Sequence, residues 1–371
     1  MSNLISPDLF GSWLKDDSEL AVLDIREAEA YGKGAPLYAA NLPSGRVAAE
    51  VERLLPRKSI RTVLVDGGDG SAARLVERLR AEGWSGLVAL AGGLPAWLAQ
   101  VREPRPTFDA SGLDFSLAVL YRTNTPWITL QELRALRAKG QPVVLLDARS
   151  PAEFERGHVP GAINVSGADL IATFDAVVPS PDAQVVVACA GLPRAILGAQ
   201  TLIEAGVPNP VSYLHNAKGE GLVEAGRRGA PAVADAADPA SAEARLVKLT
   251  EGDGFARIDR ATALAWRDDP DRTTYLIDVR PADDFAAGHV PGSVSLLGGQ
   301  LFAVSYRNIP VRGARVVLID DERGLRAGVT AHWLKQQRRT FEIALLLHSF
   351  GRQTQSLEMT RLQQKAPVAA G

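Results

Sequence analysis

Apolar residues along the chain fall into short continuous runs separated by amphipathic stretches. Three runs, RTVLVD (61–66), QVVVAC (184–189) and RVVLID (315–320), have the length and β-branched content of strands. Each leads through a loop into a pattern that predicts a helix: SAARLVERLRAEG (71–83), AILGAQTLIEAG (195–206) and RAGVTAHWLKQQ (326–337). A further apolar run follows each helix, GLVALAGG (86–93), PVSYLH (210–215) and FEIALLLH (341–348). Strands alternating with helices predict an α/β fold built on mostly parallel sheets flanked by helices.

The pattern is a long-range repeat. AVLDIREAEAY (21–31), VLLDARSPAEF (144–154) and YLIDVRPADDF (275–285) share an apolar run, then Asp-x-Arg, then an aromatic five residues past the arginine. Counting 42 residues from the anchors Asp24, Asp147 and Asp278 gives Asp66, Cys189 and Asp320, each closing a strand-like run. GHVPGAINV (157–165) and GHVPGSVSL (288–296) follow the second and third anchors, and AANLPSGRV (39–47) is a degenerate first copy. REPRPTFDASG (102–112) and the Ala/Pro/Asp-rich RRGAPAVADAADPASAEA (227–244) read as linkers, and the segment after Ser349 as a fraying tail. The expectation is three tandem modules, at 1–105, 120–230 and 245–355, with the cysteine kept only in the middle one.

Composition narrows the choice. The 371 residues are 46% hydrophobic with a net charge of -2, which suits folded domains and offers no footprint for nucleic acid. No apolar run reaches the ~18 residues of a membrane span, and the opening stretch lacks the layout of a secretory signal. A single cysteine forms no intrachain disulfide, so a reducing, cytoplasmic location is expected. The histidines His158, His215, His289, His332 and His348 form no metal motif, and DGGDGSAA (66–73) lacks the GKS/T ending of a phosphate loop. Neither a metal nor a cofactor is expected.

Cys189 lies where a parallel strand gives way to a helix, the position at which such folds form their site crevice. Loop and first-turn N–H groups there converge on an anion, and with Arg194 nearby they are expected to favour the thiolate. Gly191 lets the loop turn tightly and Pro193 restricts the helix entrance. A buried cysteine is commonly just a small apolar side chain. Asp66 and Asp320 at the matching positions speak against that reading, since an aspartate there suits a loop mouth where it caps the helix.

LLDARSPAEFERGHVPGAINV (145–165), CAGLPR (189–194) and ALAGGLPAW (89–97) together resemble the rhodanese family, and the resemblance covers nearly the whole chain as three modules. The middle module is most similar to that of long, multi-module bacterial sulfurtransferases, notably through AILGAQTLIEAGVPNPV (195–211). The family resemblance implies a thiosulfate sulfurtransferase. Cys189 would take the outer sulfur of thiosulfate or a related small anionic donor as a persulfide and pass it to cyanide, another small molecule or a protein thiol. It further implies that Ala190, Gly191, Leu192, Pro193 and Arg194 hold the donor and persulfide, and that Asp147 and Arg149 support the loop from beneath. The related multi-module proteins usually read CAGRTRS, so Leu192 and Pro193 here remove one cation and a hydroxyl. HNAKGEGLVEAG (215–226) also lacks the Trp expected near Gly221.

Two other activities compete. A cysteine phosphatase loop places its arginine six positions after the cysteine, whereas Arg194 comes five after Cys189 and position six is Ala195. A non-catalytic scaffold is the stronger rival, because two of three modules lack the cysteine. His158 and its copy His289 read as structural turn residues, and Glu153 as a neighbour of the loop arginine outside the chemistry.

Overall fold

The three apolar runs become inner strands of three parallel sheets. The computed structural model describes residues 3–36, 39–100, 110–215, 217, 222–226, 238–337 and 340–349. Module one contributes β1 (Leu4–Ile5), β2 (Ala21–Asp24), β3 (Ala40–Asn41), β4 (Thr62–Val65) and β5 (Leu87–Leu90). Module two contributes β6 (Trp127–Ile128), β7 (Val143–Asp147), β8 (Ile163–Asn164), β9 (Gln184–Ala188) and β10 (Val211–Leu214). Module three contributes β11 (Ala256–Arg257), β12 (Thr274–Asp278), β13 (Val294–Ser295), β14 (Arg315–Asp320) and β15 (Glu342–Leu347). The orders are β1-β5-β4-β2-β3, β6-β10-β9-β7-β8 and β11-β15-β14-β12-β13, with every neighbour parallel.

This order fixes where a site can form. In module two the chain leaves β7 toward β8 on one side and β9 toward β10 on the other, so the switch point lies between β7 and β9. Asp147 pairs with Ala188 in that register, which brings Cys189, the next residue, to the carboxyl-end crevice.

Continuous apolar strands are needed because both sheet faces are covered. One face of each sheet joins a shared core that includes Leu64 of module one, Val185 and Leu197 of module two, and Tyr275, Phe302 and Trp333 of module three. The opposite faces close over separate cores built around Phe10, Phe154 and Val317. The modules are therefore fused through their apolar faces. Polar ties add to this: the Trp333 indole donates to Thr201 Oγ1 at 2.8 Å, and the Tyr275 hydroxyl to the Leu54 carbonyl at 2.6 Å. Glu19 accepts from Thr273 N at 2.8 Å, and Arg312 donates to the Leu14 carbonyl at 2.6 Å.

Two linker expectations are corrected. Helix Ala110–Thr123 begins inside the stretch expected at 102–112, because Val119 reaches the shared core and Ser116 is buried. Helix Pro239–Leu249 occupies the end of 227–244. Asp238 caps it by accepting from Ala240 N, Pro239 starts it, and Ala242 and Leu249 are buried. The rest of that stretch and the expected tail lie outside the described residues. Among the described residues no helix is long and apolar enough to cross a membrane.

Candidate active site

At the end of β9, Cys189 is 1% exposed, and the helix Pro193–Glu204 begins four residues on. The helix starts earlier than the sequence pattern predicts because Pro193 takes its first position, where its fixed φ fits and no N–H is needed. Leu192, the residue before it, offers no side-chain cap, so the first N–H groups are left for other acceptors.

The N–H groups of Gly191 and Ala195 act on the cysteine side chain, both favouring its thiolate. Ala195 stands in the first helical turn, one residue past the Ala190–Arg194 set, and Pro193 has no N–H to add. Gly191 is not required for a tight turn, since a Cβ there would meet only Pro193 Cδ at 4.0 Å. Its contribution is its N–H. Ala190, Gly191, Leu192, Pro193 and Arg194 form a half-buried rim over the buried sulfur.

The cysteine-less modules show what this cradle accepts. In module one the Asp66 carboxylate takes N–H bonds from Gly68 and Ala72, both at 2.9 Å. Those donors stand two and six residues past Asp66, as Gly191 and Ala195 stand past Cys189. In module three Asp320 accepts from Asp321 N and Ala327 N at 2.9 Å each. The capping role expected for the aspartates is thus what the structure contains, while burial pushes the Asp320 carboxyl up to about 7.

Charge around Cys189 differs from expectation. Burial pushes its thiol up, and the nearby Arg194 charge with the Ala195 and Gly191 N–H groups only moderates the rise. The expected drop in pKa is corrected, because desolvation of a thiolate this deep outweighs its donors. Arg194 is also not a free cation. It makes a bidentate pair with Glu153, at 2.6 Å and 2.9 Å. Burial works to raise the Glu153 carboxyl, but the hydrogen bonds and charge of Arg194 with donors from Ser150 and Gln300 bring it down to about 2.

Asp147, at the end of β7, and Arg149 are both buried. Arg149 Nη2 donates to Asp147 Oδ2 and to the Gly157 carbonyl, at 2.7 Å each. Asp24–Arg26 and Asp278–Arg280 repeat the arrangement, so the pair belongs to the architecture of every module. His158 stacks on Phe154 with its Nδ1 at 2.9 Å from the Phe154 carbonyl, and His289 copies this on Phe285. Both stand just after the short helix that follows the Asp-x-Arg pair. Among the described residues no cluster of His, Cys, Asp and Glu is placed to hold a metal.

Three parallel sheets of one order, each with a strand-end acceptor in a helix-start cradle, define a tandem α/β repeat protein of rhodanese type. The rhodanese-like domain model matches residues 6–100, 129–217 and 259–350, and the chain belongs to that family. A crystal structure of thiosulfate sulfurtransferase from Pseudomonas aeruginosa is 33% identical with a TM-score of 0.85, covering 94% of this chain and 67% of that one. SseA of Escherichia coli, a 3-mercaptopyruvate sulfotransferase, is 19% identical over 57% of this chain and 98% of its own, with a TM-score of 0.23. Alr3790 of Anabaena sp. is 24% identical over 28% and 82%, with a TM-score of 0.26. The last two are too distant to support an argument. No match was found among curated proteins.

Proposed function

We propose that the middle module is a sulfurtransferase that carries a sulfane sulfur on Cys189. In the first step the thiolate attacks the outer sulfur of a donor such as thiosulfate. A new S–S bond forms, the donor S–S bond breaks, and sulfite leaves with the electron pair. In the second step a thiophilic acceptor, cyanide or a small or protein thiol, attacks the outer sulfur and returns the thiolate. The observation that carries this reading is the match between loops: the N–H groups two and six residues past Cys189 favour its thiolate, and those at the same offsets in module one hydrogen-bond the Asp66 carboxyl. A cradle suited to an anion lowers the cost of the thiolate, the persulfide anion and the transition state between them. The similar Pseudomonas aeruginosa thiosulfate sulfurtransferase favours thiosulfate as the donor to try first.

Asp66 and Asp320 fill their cradles with their own carboxylates, and a carboxylate cannot carry sulfane sulfur. Modules one and three are therefore read as structural partners of module two. The burial of Cys189 and the engagement of Arg194 by Glu153 also favour a second reading, a scaffold without turnover.

Intact-protein mass spectrometry after incubation with thiosulfate or 3-mercaptopyruvate separates the two. Sulfur transfer predicts a gain of one sulfur mass that cyanide removes and that Cys189→Ala abolishes. Absence of that gain with both donors and with a low-molecular-weight persulfide leaves the scaffold.

A further inference from the structure

The second and third modules reach into each other's loops through matching positions. Asp169 stands 22 residues past Asp147, and Gln300 stands 22 past Asp278. Asp169 accepts from Arg326, in the first turn of the module-three helix Leu325–Lys335, at 2.6 Å. Gln300 donates its side-chain amide to Glu153 Oε2, the same oxygen that accepts from Arg194 Nη1 at 2.6 Å. Backbone approach at the crossing is close, since a Cβ on Gly299 would lie 2.6 Å from Gly167 N. The two insertions are thus held in place by packing.

The exchange is symmetric in position and asymmetric in charge. In the cysteine-less loop Arg326 faces three carboxylates: Asp169 at 2.6 Å, Asp321 at 3.3 Å and Asp320 at 3.6 Å. In the cysteine-bearing loop the ion pair of Arg194 among the described residues is with Glu153, and the residue supplied across the interface is a neutral amide. A carboxylate at position 300 would give the arginine a further negative neighbour and approach the balance of the cysteine-less module.

We propose that Gln300, supplied by module three, is a positioning residue that sets the charge at the Cys189 loop and so its acceptance of an anionic sulfur donor. This rests on reading Cys189 as a sulfur carrier. The amide braces Glu153, Glu153 orients Arg194, and the neutral amide adds no negative charge to those of Glu153 and Asp147 near the loop cation. Module three would thereby contribute to donor selection without a cysteine of its own.

The test compares alkylation of Cys189 by anionic iodoacetate and neutral iodoacetamide in the full chain, alongside the thiosulfate concentration giving half-maximal sulfur loading. One unit charge near the loop is expected to change the iodoacetate-to-iodoacetamide rate ratio about tenfold. Gln300→Asp should lower the ratio and raise the half-maximal thiosulfate concentration by similar factors, with a smaller change in maximal loading rate. Gln300→Lys should move both the other way. Gln300→Leu, which removes the brace and adds no charge, should slow both alkylations and leave their ratio in place. A brace with only a structural role would lower the melting temperature of the variants and leave one ratio across the series, and that result overturns the proposal. Should the wild-type protein alkylate normally yet take sulfur from no donor, the sulfur-carrier reading fails instead, and the ratio series still decides whether Gln300 sets the charge.

Discussion

The protonation state of Cys189 is decided by two opposed effects within a few ångströms. Burial favours the neutral thiol, while Arg194 and the Ala195 and Gly191 N–H groups favour the thiolate. Glu153, held at about 2, stays anionic at every working pH and spends most of the Arg194 charge on itself. The reacting form is the thiolate, so the loading rate should follow its fraction. We predict that the rate at a fixed low thiosulfate concentration rises about tenfold per pH unit from pH 7, without a plateau below the ordinary thiol value of ~8.5. A plateau near pH 6, read from a pH–rate profile by mass spectrometry, would show that the cradle prevails over burial. The cysteine, its arginine and the donor two residues on were legible in the sequence. The direction of the shift was not, because the depth of a strand-end thiol depends on what packs over the loop. Glu153, expected as a mere neighbour of Arg194, proves to be its bidentate partner.

At the scale of the element, the recurring unit is a buried strand, a strand-end acceptor and a helix whose first N–H groups lack partners of their own. Asp66 supplies a carboxylate to Gly68 N and Ala72 N while only 3% exposed, so it serves as the helix cap at a distance of six residues. Asp66→Ala leaves the buried Ala72 N–H and the exposed Gly68 N–H without their acceptor and should cost about 1 to 2 kcal/mol in module one, measured by urea denaturation. A loss below about 0.5 kcal/mol would mean that water satisfies these donors and that the cradle has little pull on an anion. The strands and helices were legible because apolar runs and amphipathic stretches are local signals. The Ala195 donor was legible only as one of the first-turn N–H groups, since a backbone N–H leaves no mark in side-chain chemistry. Its nearest sequence clue is the count of six residues that Ala195 shares with Ala72.

At the scale of the molecule, modules two and three are joined along the helix that begins at the Cys189 loop. Its last residue, Glu204, lies 3.0 Å from His332 Nε2, and Asp253 lies 2.8 Å from His332 Nδ1. The repeat was legible, but this contact was not: His332 had no motif, and its partners lie 128 and 79 residues away. The Gln300 and Asp169 insertions did leave a trace, in their shared offset from the anchor aspartates. Burial works to lower the His332 pKa, yet hydrogen bonds and charge from Glu204 and Asp253 raise it overall, with the Gln336 amide 2.8 Å from Nε2. A raised folded-state pKa means that the imidazolium contributes its full stability below the unfolded value of ~6.5 and loses it as pH rises through the folded value. His332→Gln should therefore destabilise the chain by about 2 kcal/mol at pH 6, and by less than half of that at pH 9. Urea midpoints for wild type and variant at the two pH values measure the difference. An equal gap at both would show that His332 is neutral at the interface and that the tie between the modules does not depend on its charge.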